Sequence, residues 1–383
     1  MTDTPTTDTA AATEALPTPL LALHRELGGK LVDFAGYLLP VQYPAGIMAE
    51  HKQCRAAAAL FDVSHMGQVE LKGAAADAAL ERLVPGELQK LAVGRQRYTF
   101  FTNDAGGILD DLIVARLPDR LFVVVNAACK TADIAHLRAY LPDIELKPLT
   151  DRALIAVQGP KAVEAVARHA PAATDLTFLS IADMEVAGIP ALVSRSGYSG
   201  EDGFEISLPA AEAEAVARKL LAEPEIEPAG LGARDSLRLE AGLCLYGHDL
   251  TPETTPVEAG LTWAIGKRRR EEGGFPGADV VRRQLAEGPP RRRVGLKPEG
   301  RAPVREGAAL TDSEGKTVGV VTSGGFGPTV GGPVAMGYVS AGLAETGTGL
   351  FAEVRGKQLP VTVAGLPFVQ QRYAKPSATG GTR

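Results

Sequence analysis

Apolar and polar positions follow helical and strand periods in turn along the first 288 residues, without a repeat of fixed length. The predicted helices are short and lie at Ala49–Leu60, Ala74–Leu83, Ala127–Tyr140, Lys161–His169 and Ala210–Leu221. The predicted strands are equally short and lie at Gln68–Lys72, Arg97–Thr102, Leu112–Ala115, Leu121–Val125, Leu154–Val157, Val186–Val193 and Phe204–Leu208. The order lacks a sustained series of strand, helix and strand, which indicates an α+β fold rather than a doubly wound nucleotide-binding sheet.

The pattern changes after residue 288, where strands and turns replace the mixture of helices and strands. Gly288–Arg293 is rich in Gly, Pro and Arg and is typical of an inter-domain linker. Asp312–Gly315 and Arg355–Lys357 have the composition of hairpin turns. We therefore expect an α+β region at residues 18–288 and a small β-barrel at residues 289–374, with disordered tails at 1–17 and 375–383.

Composition narrows the classes of protein that fit this pattern. Hydrophobic residues make up 45% of the 383 residues and charged residues 22%, which is enough apolar surface for a folded core. The net charge of -6 gives no sign of nucleic-acid binding, and three cysteines are too few for a disulfide framework. No apolar run approaches the roughly 20 residues that span a bilayer, and the polar, acidic first residues lack the pattern of a signal or transit peptide, so we expect neither. We expect a cytoplasmic protein without a membrane or nucleic-acid partner.

Several common cofactor motifs are absent from the sequence. It contains no G-x-x-x-x-G-K-[ST] phosphate loop, and the glycine-rich run at Gly324–Gly332 includes a proline and lies among predicted strands, so we interpret it as a structural loop. The cysteines lack C-x-x-C spacing, and the six histidines are scattered without H-E-x-x-H. We therefore expect no metal, flavin or nicotinamide cofactor.

Two carboxylates stand at the entrance of an apolar strand, in Gly106–Asp111. Adjacent strand residues point to opposite faces, so Asp110 and Asp111 cannot both face one cavity. A carboxylate that points inward needs a partner or a proton, which makes one of the two a candidate acid or base. A turn aspartate that caps a backbone N–H fits equally well. The polar run Asp62–Gly67 is interpreted first as a turn whose side chains bond the backbone.

The segment Ser194–Glu205 packs three glycines, a tyrosine and four charged groups into twelve positions. Glycines allow a ligand to approach the backbone closely. A carboxylate such as Glu205 can accept two parallel hydrogen bonds from the amino-imine edge of a pterin or guanine. Pairing of Arg195 with a glutamate inside the segment is the alternative interpretation.

A glycine turn opens the predicted helix at Gly230–Ala241. Arg234 and Arg238 are four residues apart and share one helix face, close to a helix start that favours anions. Alternatively, Asp235 and Glu240 pair with these arginines within the helix. Together, the residues suggest a planar, partly anionic ligand and an acid or base carboxylate.

Seven motifs occur in one order along the chain: Leu31–Gly36, Asp62–Gly67, Gly106–Asp111, Gln158–Pro160, Ser194–Glu205, Pro228–Gly242 and Ser323–Thr329. In this order and at this spacing they resemble the T-protein family of the glycine cleavage system, whose members are aminomethyltransferases. The resemblance runs from about residue 18 to residue 373 and so covers nearly the whole chain.

The resemblance implies a fold and a reaction. The fold would be a cloverleaf of three subdomains around a central folate channel: two interleaved α+β subdomains within residues 18–288 and a C-terminal β-barrel. The reaction would move the methylene carbon from the aminomethyl-lipoyl group of H-protein to tetrahydrofolate, giving ammonia, 5,10-methylenetetrahydrofolate and dihydrolipoyl H-protein. Tetrahydrofolate would be a co-substrate, and H-protein a direct partner that is coupled in function to P-protein and L-protein.

The resemblance also implies roles for individual residues. Asp111 matches the family's catalytic carboxylate, which would steer nucleophilic attack and stabilise the cation that forms as ammonia leaves. Glu205 matches the residue that binds the amino-pyrimidine edge of the pterin, and Arg234 matches a folate-binding arginine. The other implied folate-binding residues are Tyr98, Ile113, Asn126, Tyr198 and, from a shorter motif, Tyr373.

Proteins similar to this family use the same fold for other functions. Dimethylglycine and sarcosine dehydrogenases add a flavin domain, for which the chain has neither the length nor an N-terminal G-x-G-x-x-G. Non-catalytic folate-binding proteins of iron–sulfur assembly carry a K-G-C-Y-x-G-Q-E type of motif, whereas Ser196–Gly203 contains no cysteine. That difference and Asp111 favour the enzyme, and a non-catalytic folate-binding protein or a folate-dependent demethylase is the alternative. The basic stretch Lys267–Arg293 could bind an acidic H-protein or the polyglutamate tail of a folate, or it could be a solvated linker.

Overall fold

A computed structural model describes residues 15–375, so most of both predicted tails (1–14 and 376–383) lies outside the described residues. The described strands are β1 (Leu16–Pro17), β2 (Lys30–Phe34), β3 (Tyr37–Gln42), β4 (Ala58–Asp62), β5 (Gly67–Lys72), β6 (Arg95–Thr102), β7 (Ile108–Arg116), β8 (Leu121–Val125), β9 (Glu145–Pro148), β10 (Arg152–Gln158), β11 (Ile181–Val186), β12 (Ile189–Ser194), β13 (Gly203–Pro209), β14 (Ile226–Pro228), β15 (Arg291–Pro298), β16 (Ala309–Thr311), β17 (Thr317–Gly327), β18 (Gly332–Ser340), β19 (Gly349–Val354) and β20 (Lys357–Ala364). The described α-helices are α1 (Leu21–Glu26), α2 (Ile47–Ala56), α3 (Ala76–Glu81), α4 (Lys130–Tyr140), α5 (Ala162–Ala167), α6 (Ala213–Leu221), α7 (Leu231–Glu240), α8 (Lys267–Glu272) and α9 (Ala278–Glu287).

The chain builds two sheets in alternation. The strand order is β11-β12-β13-β10-β4-β14 in the six-stranded sheet and β6-β7-β8-β5-β9 in the five-stranded sheet. Because β4 and β10–β14 belong to the first sheet and β5–β9 to the second, the two subdomains are interleaved along the sequence. A small sheet, β1-β3-β2, precedes them. Among the described strand pairs only β1–β3 and β4–β14 are parallel, so the fold is not a doubly wound parallel sheet.

The last six strands close into a barrel in the order β15-β18-β17-β16-β19-β20. Alternate apolar side chains such as Leu296, Val339 and Val361 fill its interior. The hairpin turns predicted at Asp312–Gly315 and Arg355–Lys357 connect β16 to β17 and β19 to β20, as expected. The predicted α+β class with a C-terminal β-barrel is therefore confirmed. No helix within the described residues has the length and apolar character needed to cross a membrane.

Two predicted elements have the wrong bounds. The helix predicted at Ala49–Leu60 ends at Ala56, and Ala58–Asp62 forms β4. Pairing of β4 with β10 and β14, together with its complete burial, outweighs the helix propensity of the alanine run. The strand predicted at Val186–Val193 is a hairpin, because Ala187 (φ 55°) and Gly188 (φ 85°) form a turn between β11 and β12.

The predicted tail and linker are also partly wrong. Leu16 and Pro17, assigned to a disordered tail, pair with β3 in the first sheet. The residues predicted as a linker lead directly into the barrel, since β15 begins at Arg291. Arg293 donates hydrogen bonds to the carbonyl groups of Ala259 and Gly242, which holds the barrel against the preceding region.

The basic stretch at residues 267–293 bonds mainly to the protein itself. Arg269 is buried and donates to the carbonyl oxygens of Glu81 and Val84. Arg268 is paired with the buried carboxylate of Glu81. These arginines therefore anchor α8 to the five-stranded subdomain. The interpretation of this part of the basic stretch as a solvated linker is wrong.

An ion-pair cluster with two buried carboxylates, which we name the junction cluster, lies where the subdomains meet and consists of His51, Arg55, Glu201, Glu240 and the half-exposed Arg372. Glu240, at the end of α7, accepts hydrogen bonds from His51 at 3.1 Å, from Arg55 at 3.2 Å and from two backbone N–H groups of the barrel turn. Arg55 and Arg372 each contact Glu201 at 2.7 Å. Burial alone would raise the pKa of Glu240, but these donors hold it at about 2. Glu240 therefore joins three parts of the fold instead of pairing with an arginine of its own helix.

Candidate active site

Two neighbouring strands and the end of a third place several predicted site residues on one face of the five-stranded sheet. Tyr98 on β6 lies opposite Ile113 on β7, and Asp111 precedes Ile113 by two residues and shares its face. Asn126 follows β8 directly, next to Asp111. The Tyr98 hydroxyl donates to Oδ2 of Asp111 at 2.9 Å, and Nδ2 of Asn126 donates to Oδ1 at 2.8 Å. Four residues that the sequence singled out therefore lie together.

The electrostatic surroundings of Asp111 give its carboxyl group an unusual proton affinity. Burial and the nearby charge of Asp110 raise the pKa of Asp111, and the hydrogen bonds from Tyr98 and Asn126 oppose part of that rise. The resulting pKa is about 7. Both protonation states are therefore populated near neutral pH, which suits a group that takes or gives a proton during a reaction.

The Asp110 side chain projects from the face of β7 opposite to that of Asp111, as expected for adjacent strand residues, and it is also buried. Its Oδ1 accepts a hydrogen bond from Nδ2 of Asn126 at 2.8 Å, and its Oδ2 accepts the backbone N–H of Asn126 at 3.0 Å. We expected one of the two carboxylates to point inward. The structure instead holds both through one asparagine, because Nδ2 lies at the strand end and reaches both sides of the β7 backbone.

A second group of predicted residues comes from β13, the loop before it and α7. The guanidinium of Arg234 lies 4.7 Å from the ring centroid of Tyr198, a cation–π contact. Glu205 accepts a hydrogen bond from the Ser196 hydroxyl at 3.0 Å. Burial raises the pKa of Glu205, and Arg234 and Ser196 only partly oppose it. Burial likewise lowers the pKa of Arg234, whose charge acts on Glu205 without forming an ion pair within 4 Å among the described residues.

The simpler interpretation of these charges, internal ion pairing, holds for two arginines. Arg195 is paired with Asp202 at 2.6 Å, rather than with a glutamate. Arg238 is paired with Asp235 at 2.8 Å and with buried Asp249 at 2.9 Å. Internal pairing therefore accounts for Arg195 and Arg238 and leaves Glu205 and Arg234 available to a ligand.

The two groups meet around the segment that follows α7. The Tyr198 hydroxyl donates to the carbonyl oxygen of Cys244. The Cys244 side chain belongs to the buried cluster against which Tyr98 packs. Burial raises the pKa of Tyr198, and the negative charge of Asp111 adds to that effect. The group around Asp111 and Tyr98 is therefore a neighbour of the group around Tyr198, which contacts Arg234.

Comparison with known proteins agrees with this arrangement. The GCVT N-terminal domain matches residues 20–269, and the glycine cleavage T-protein C-terminal barrel domain matches residues 291–370. The mitochondrial aminomethyltransferase of Gallus gallus is 48% identical over 93% of this chain and 93% of its own length. The chain belongs to the glycine cleavage T-protein family.

Other T-protein relatives support the assignment. The mitochondrial aminomethyltransferase of Dictyostelium discoideum is 44% identical over 96% of this chain and 95% of its own length. The crystal structure of the glycine cleavage system aminomethyltransferase T from Bartonella henselae superposes with a TM-score of 0.89 at 46% identity, covering 94% of this chain and 100% of that one. The predicted T-protein fold is confirmed, and these similarities give no support to a non-catalytic folate-binding protein or a demethylase. Because two of the relatives are named mitochondrial, the cytoplasmic location stays a prediction.

One predicted site residue lies apart from the others. The ring of Tyr373 stacks on Phe178 with centroids 4.1 Å apart. Burial raises the pKa of Tyr373, on which Arg55 and Glu201 of the junction cluster also act. Within the described residues, none of its ring contacts joins it to Asp111. Its assignment to folate binding stays a prediction.

Trp263 belongs to the site surroundings although no motif indicates it. It lies in a 3₁₀ turn, Thr262–Ala264, and stacks on Tyr98 with ring centroids 5.4 Å apart and an interplanar angle of 23°. The residue is 62% exposed, so its ring lies between Tyr98 and solvent. The one signal in the sequence is that the chain contains a single tryptophan, and that alone does not place it.

The polar run at Asp62–Gly67 forms the predicted turn and also a buried chain. Oδ1 of Asp62 accepts the backbone N–H of Ser64 at 2.9 Å, as expected for a turn aspartate. Its Oδ2 contacts Nε2 of His24 at 2.8 Å, and Nδ1 of His24 lies 2.8 Å from the Tyr43 hydroxyl. These contacts attach the first small sheet to β4 beside Arg234. No group of three or more His, Cys, Asp or Glu side chains in residues 15–375 is arranged to hold a metal ion.

Proposed function

We propose that the protein is the aminomethyltransferase of a glycine cleavage system. It takes the methylene carbon from the aminomethyl-lipoyl group of H-protein, releases ammonia, and gives 5,10-methylenetetrahydrofolate and dihydrolipoyl H-protein. P-protein and L-protein would load and reoxidise the lipoyl group. The observation that carries the proposal is the Asp111 carboxylate, held between Tyr98 and Asn126 in a chain whose residues 20–269 and 291–370 match the two T-protein domains.

The residues of the site fit a reduced folate. Within residues 15–375 the Glu205 carboxylate accepts one hydrogen bond, from Ser196, so it keeps lone pairs for the amino and ring N–H groups of a pterin. Tyr198 offers an aromatic surface, and Arg234 has donors left for a carbonyl or carboxylate oxygen. Tetrahydrofolate, when bound, supplies the nitrogen nucleophiles that take up the one-carbon unit.

Asp111 would carry the electrostatic part of the reaction. In its ionised form it stabilises the positive charge that develops on the carbon as the amine departs. Its raised pKa also lets it accept a proton near neutral pH, so the same carboxyl group can help transfer protons between the reacting nitrogens. The donors on either side, Tyr98 and Asn126, fix the direction of both carboxylate oxygens.

Apolar residues around Asp111 limit the access of water. Ile113 lies between Tyr98 and Val124 in the sheet register and forms an apolar wall two residues from Asp111. Trp263 covers the outer face of Tyr98. A site with reduced water content strengthens the interaction of Asp111 with a developing cation.

The test is the formation of methylenetetrahydrofolate from glycine by the protein with purified P-, H- and L-proteins. We expect product that depends on the chain, on lipoylated H-protein and on tetrahydrofolate. A parallel assay offers N-methyl compounds in place of loaded H-protein and tests the demethylase alternative. If the protein gives no product with partner proteins that are active with an established T-protein, the proposed function is wrong.

A further inference from the structure

Asp133 lies in the first turn of α4, directly behind the candidate active site, with its carboxyl group against that of Asp110. Asp133 is 4% exposed and Asp110 is 0% exposed. Among the described residues, no donor reaches Oδ2 of Asp133, and a side-chain contact with the Asp110 carboxyl group raises the pKa of Asp133 and lowers that of Asp110. Two buried carboxyl groups bond each other only when one of them carries a proton.

Hydrogen bonds from Asn126 decide which of the two groups holds that proton. Both oxygens of Asp110 accept bonds from Asn126, one from Nδ2 at 2.8 Å and one from the backbone N–H at 3.0 Å. Burial raises the pKa of Asp110, but the bonds from Asn126 and the contact with Asp133 oppose that rise, so we assign Asp110 as the anion and Asp133 as the acid that donates to it. Burial and the negative charge of Asp110 raise the pKa of Asp133 to about 9, which keeps it neutral at pH 7.

The charge on Asp110 fixes the orientation of the Asn126 amide. The same Nδ2 that bonds Asp110 also donates to Oδ1 of Asp111 at 2.8 Å. A reversed amide would place its carbonyl oxygen against two carboxyl groups and lose both bonds. The anion at Asp110 therefore ensures that Asp111 meets a donor.

We propose that Asp133 is a positioning residue for the transfer reaction: as a neutral acid bonded to Asp110, it keeps Asp110 anionic and Asn126 aimed at Asp111. This inference rests on the proposed function, because the effect of Asp133 on the rate passes through Asp111. Loss of the proton would leave Asp110, Asp111 and Asp133 in mutual repulsion within a buried space.

The other titratable groups around Asp133 stay neutral over the relevant pH range. The Cys129 thiol, at the start of α4, and the Tyr246 phenol, from the segment after α7, both have pKa values raised by burial and by these carboxylates. His136, one turn along α4, has its pKa lowered by burial. Asp133 therefore titrates against Asp110 and Asp111.

Two substitutions of Asp133 distinguish the effect of its side-chain shape from the effect of its proton. Asp133→Asn keeps the shape and supplies a neutral N–H donor to Asp110, so we expect it to keep most of kcat. Asp133→Leu removes the donor, and we expect it to lower kcat by about 100-fold through misplacement of Asp111, with little change in KM for tetrahydrofolate. The matched controls are Asp279→Asn and Asp279→Leu, since Asp279 is in the first turn of α9 with a fully exposed side chain.

The pH profile distinguishes positioning from a merely structural role. In the wild type, kcat should fall as the pH rises through about 9, because Asp133 then ionises. Asp133→Asn has no proton to lose at this position and should lack that alkaline limb. A structural role would instead lower kcat equally at every pH. The proposal is overturned if Asp133→Asn retains the limb or if Asp133→Leu matches the wild-type rate.

A spectroscopic test needs no turnover. At about pH 8, between the pKa values of Asp111 and Asp133, difference infrared spectroscopy in H₂O and D₂O should show a protonated carboxyl stretch in the wild type and not in Asp133→Asn. Absence of that band in the folded wild type overturns the proposal whether or not the protein is active. Its presence in an inactive protein would contradict the proposed function alone.

Discussion

Two buried groups of carboxylates in this protein are built in opposite ways. In the junction cluster, Glu240 receives four donors from three parts of the fold, and its pKa is about 2. In the second group, which we name the acid cluster, Asp133 lies against Asp110 on one side of β7 and Asp111 leaves the other side, where burial and the charge of Asp110 raise its pKa to about 7. A carboxylate that receives as many donors as Glu240 holds parts of the fold together, whereas the carboxylates of the acid cluster keep a proton available for chemistry.

The largest effect should follow from removal of the charge at Asp111. We expect Asp111→Asn to lower kcat by about 10²–10⁴-fold, because the amide cannot stabilise a cation or accept a proton. Its free energy of unfolding should not fall, since the substitution relieves repulsion with Asp110. Steady-state kinetics and urea unfolding measure the two quantities. The exposed Asp104→Asn in the preceding turn is the control, and an unchanged rate in Asp111→Asn would contradict the catalytic assignment.

In the junction cluster we expect the substitution of a carboxylate to lower the stability of the fold. Glu240→Ala leaves His51, one edge of the Arg55 guanidinium and two backbone N–H groups of the barrel turn without their shared buried acceptor, and it should lower the free energy of unfolding by about 3–5 kcal/mol. Urea unfolding measures this change. The control is Glu214→Ala, which breaks an exposed pair with Arg218 and should cost under about 1 kcal/mol. Equal effects at the two positions would remove the distinction between the clusters.

Part of the fold and part of the candidate site could be predicted from the sequence. The motif at Gly106–Asp111 and its apolar surroundings indicated a functional carboxylate, and the turn and strand periods indicated the C-terminal barrel. The hairpin at Ala187–Gly188 was missed because apolar residues continue through it. Asp133 was missed because it lies in an ordinary polar helix turn, and only tertiary packing brings it to Asp110.

Trp263 and Arg195 are two further residues whose contacts could not be predicted from the sequence. Trp263 reaches Tyr98 from a segment more than 160 residues away along the chain. Arg195 could pair with any of the carboxylates in its loop, and the turn geometry selects Asp202. The local sequence pattern predicts secondary-structure elements and candidate catalytic residues. The partner of a charged side chain depends instead on which segments the tertiary fold brings together.

The carboxylate of Glu205 lies outside both clusters, and its substitution tests ligand binding. We expect Glu205→Gln to raise Kd for tetrahydrofolate by about 10–100-fold, the value of one or two charge-assisted hydrogen bonds. Isothermal titration calorimetry measures the affinity, and the exposed Glu212→Gln on the same subdomain is the control. Unaltered affinity in Glu205→Gln would count against its place at the pterin edge.

The smallest effect should come from a donor to the acid cluster. The hydroxyl of Tyr98 lowers the pKa of Asp111, so Tyr98→Phe should raise it and shift the acidic limb of the kcat profile to higher pH. The ionised fraction at pH 7 then falls, and we expect a loss of about tenfold at that pH that is largely recovered at pH 8.5. A uniform loss at all pH values would indicate that Tyr98 acts by packing alone.

The most direct test of this account is the titration of Asp111 itself, followed by carboxyl ¹³C NMR in the substrate-free protein. The account predicts one resonance with a midpoint near pH 7 that is absent from Asp111→Asn. Asp104→Asn, at an exposed position in the preceding turn, should leave that resonance in place. A midpoint for Asp111 near 4, the ordinary value for an aspartate, would contradict the claim that this site keeps an underpaired carboxylate poised near neutral pH.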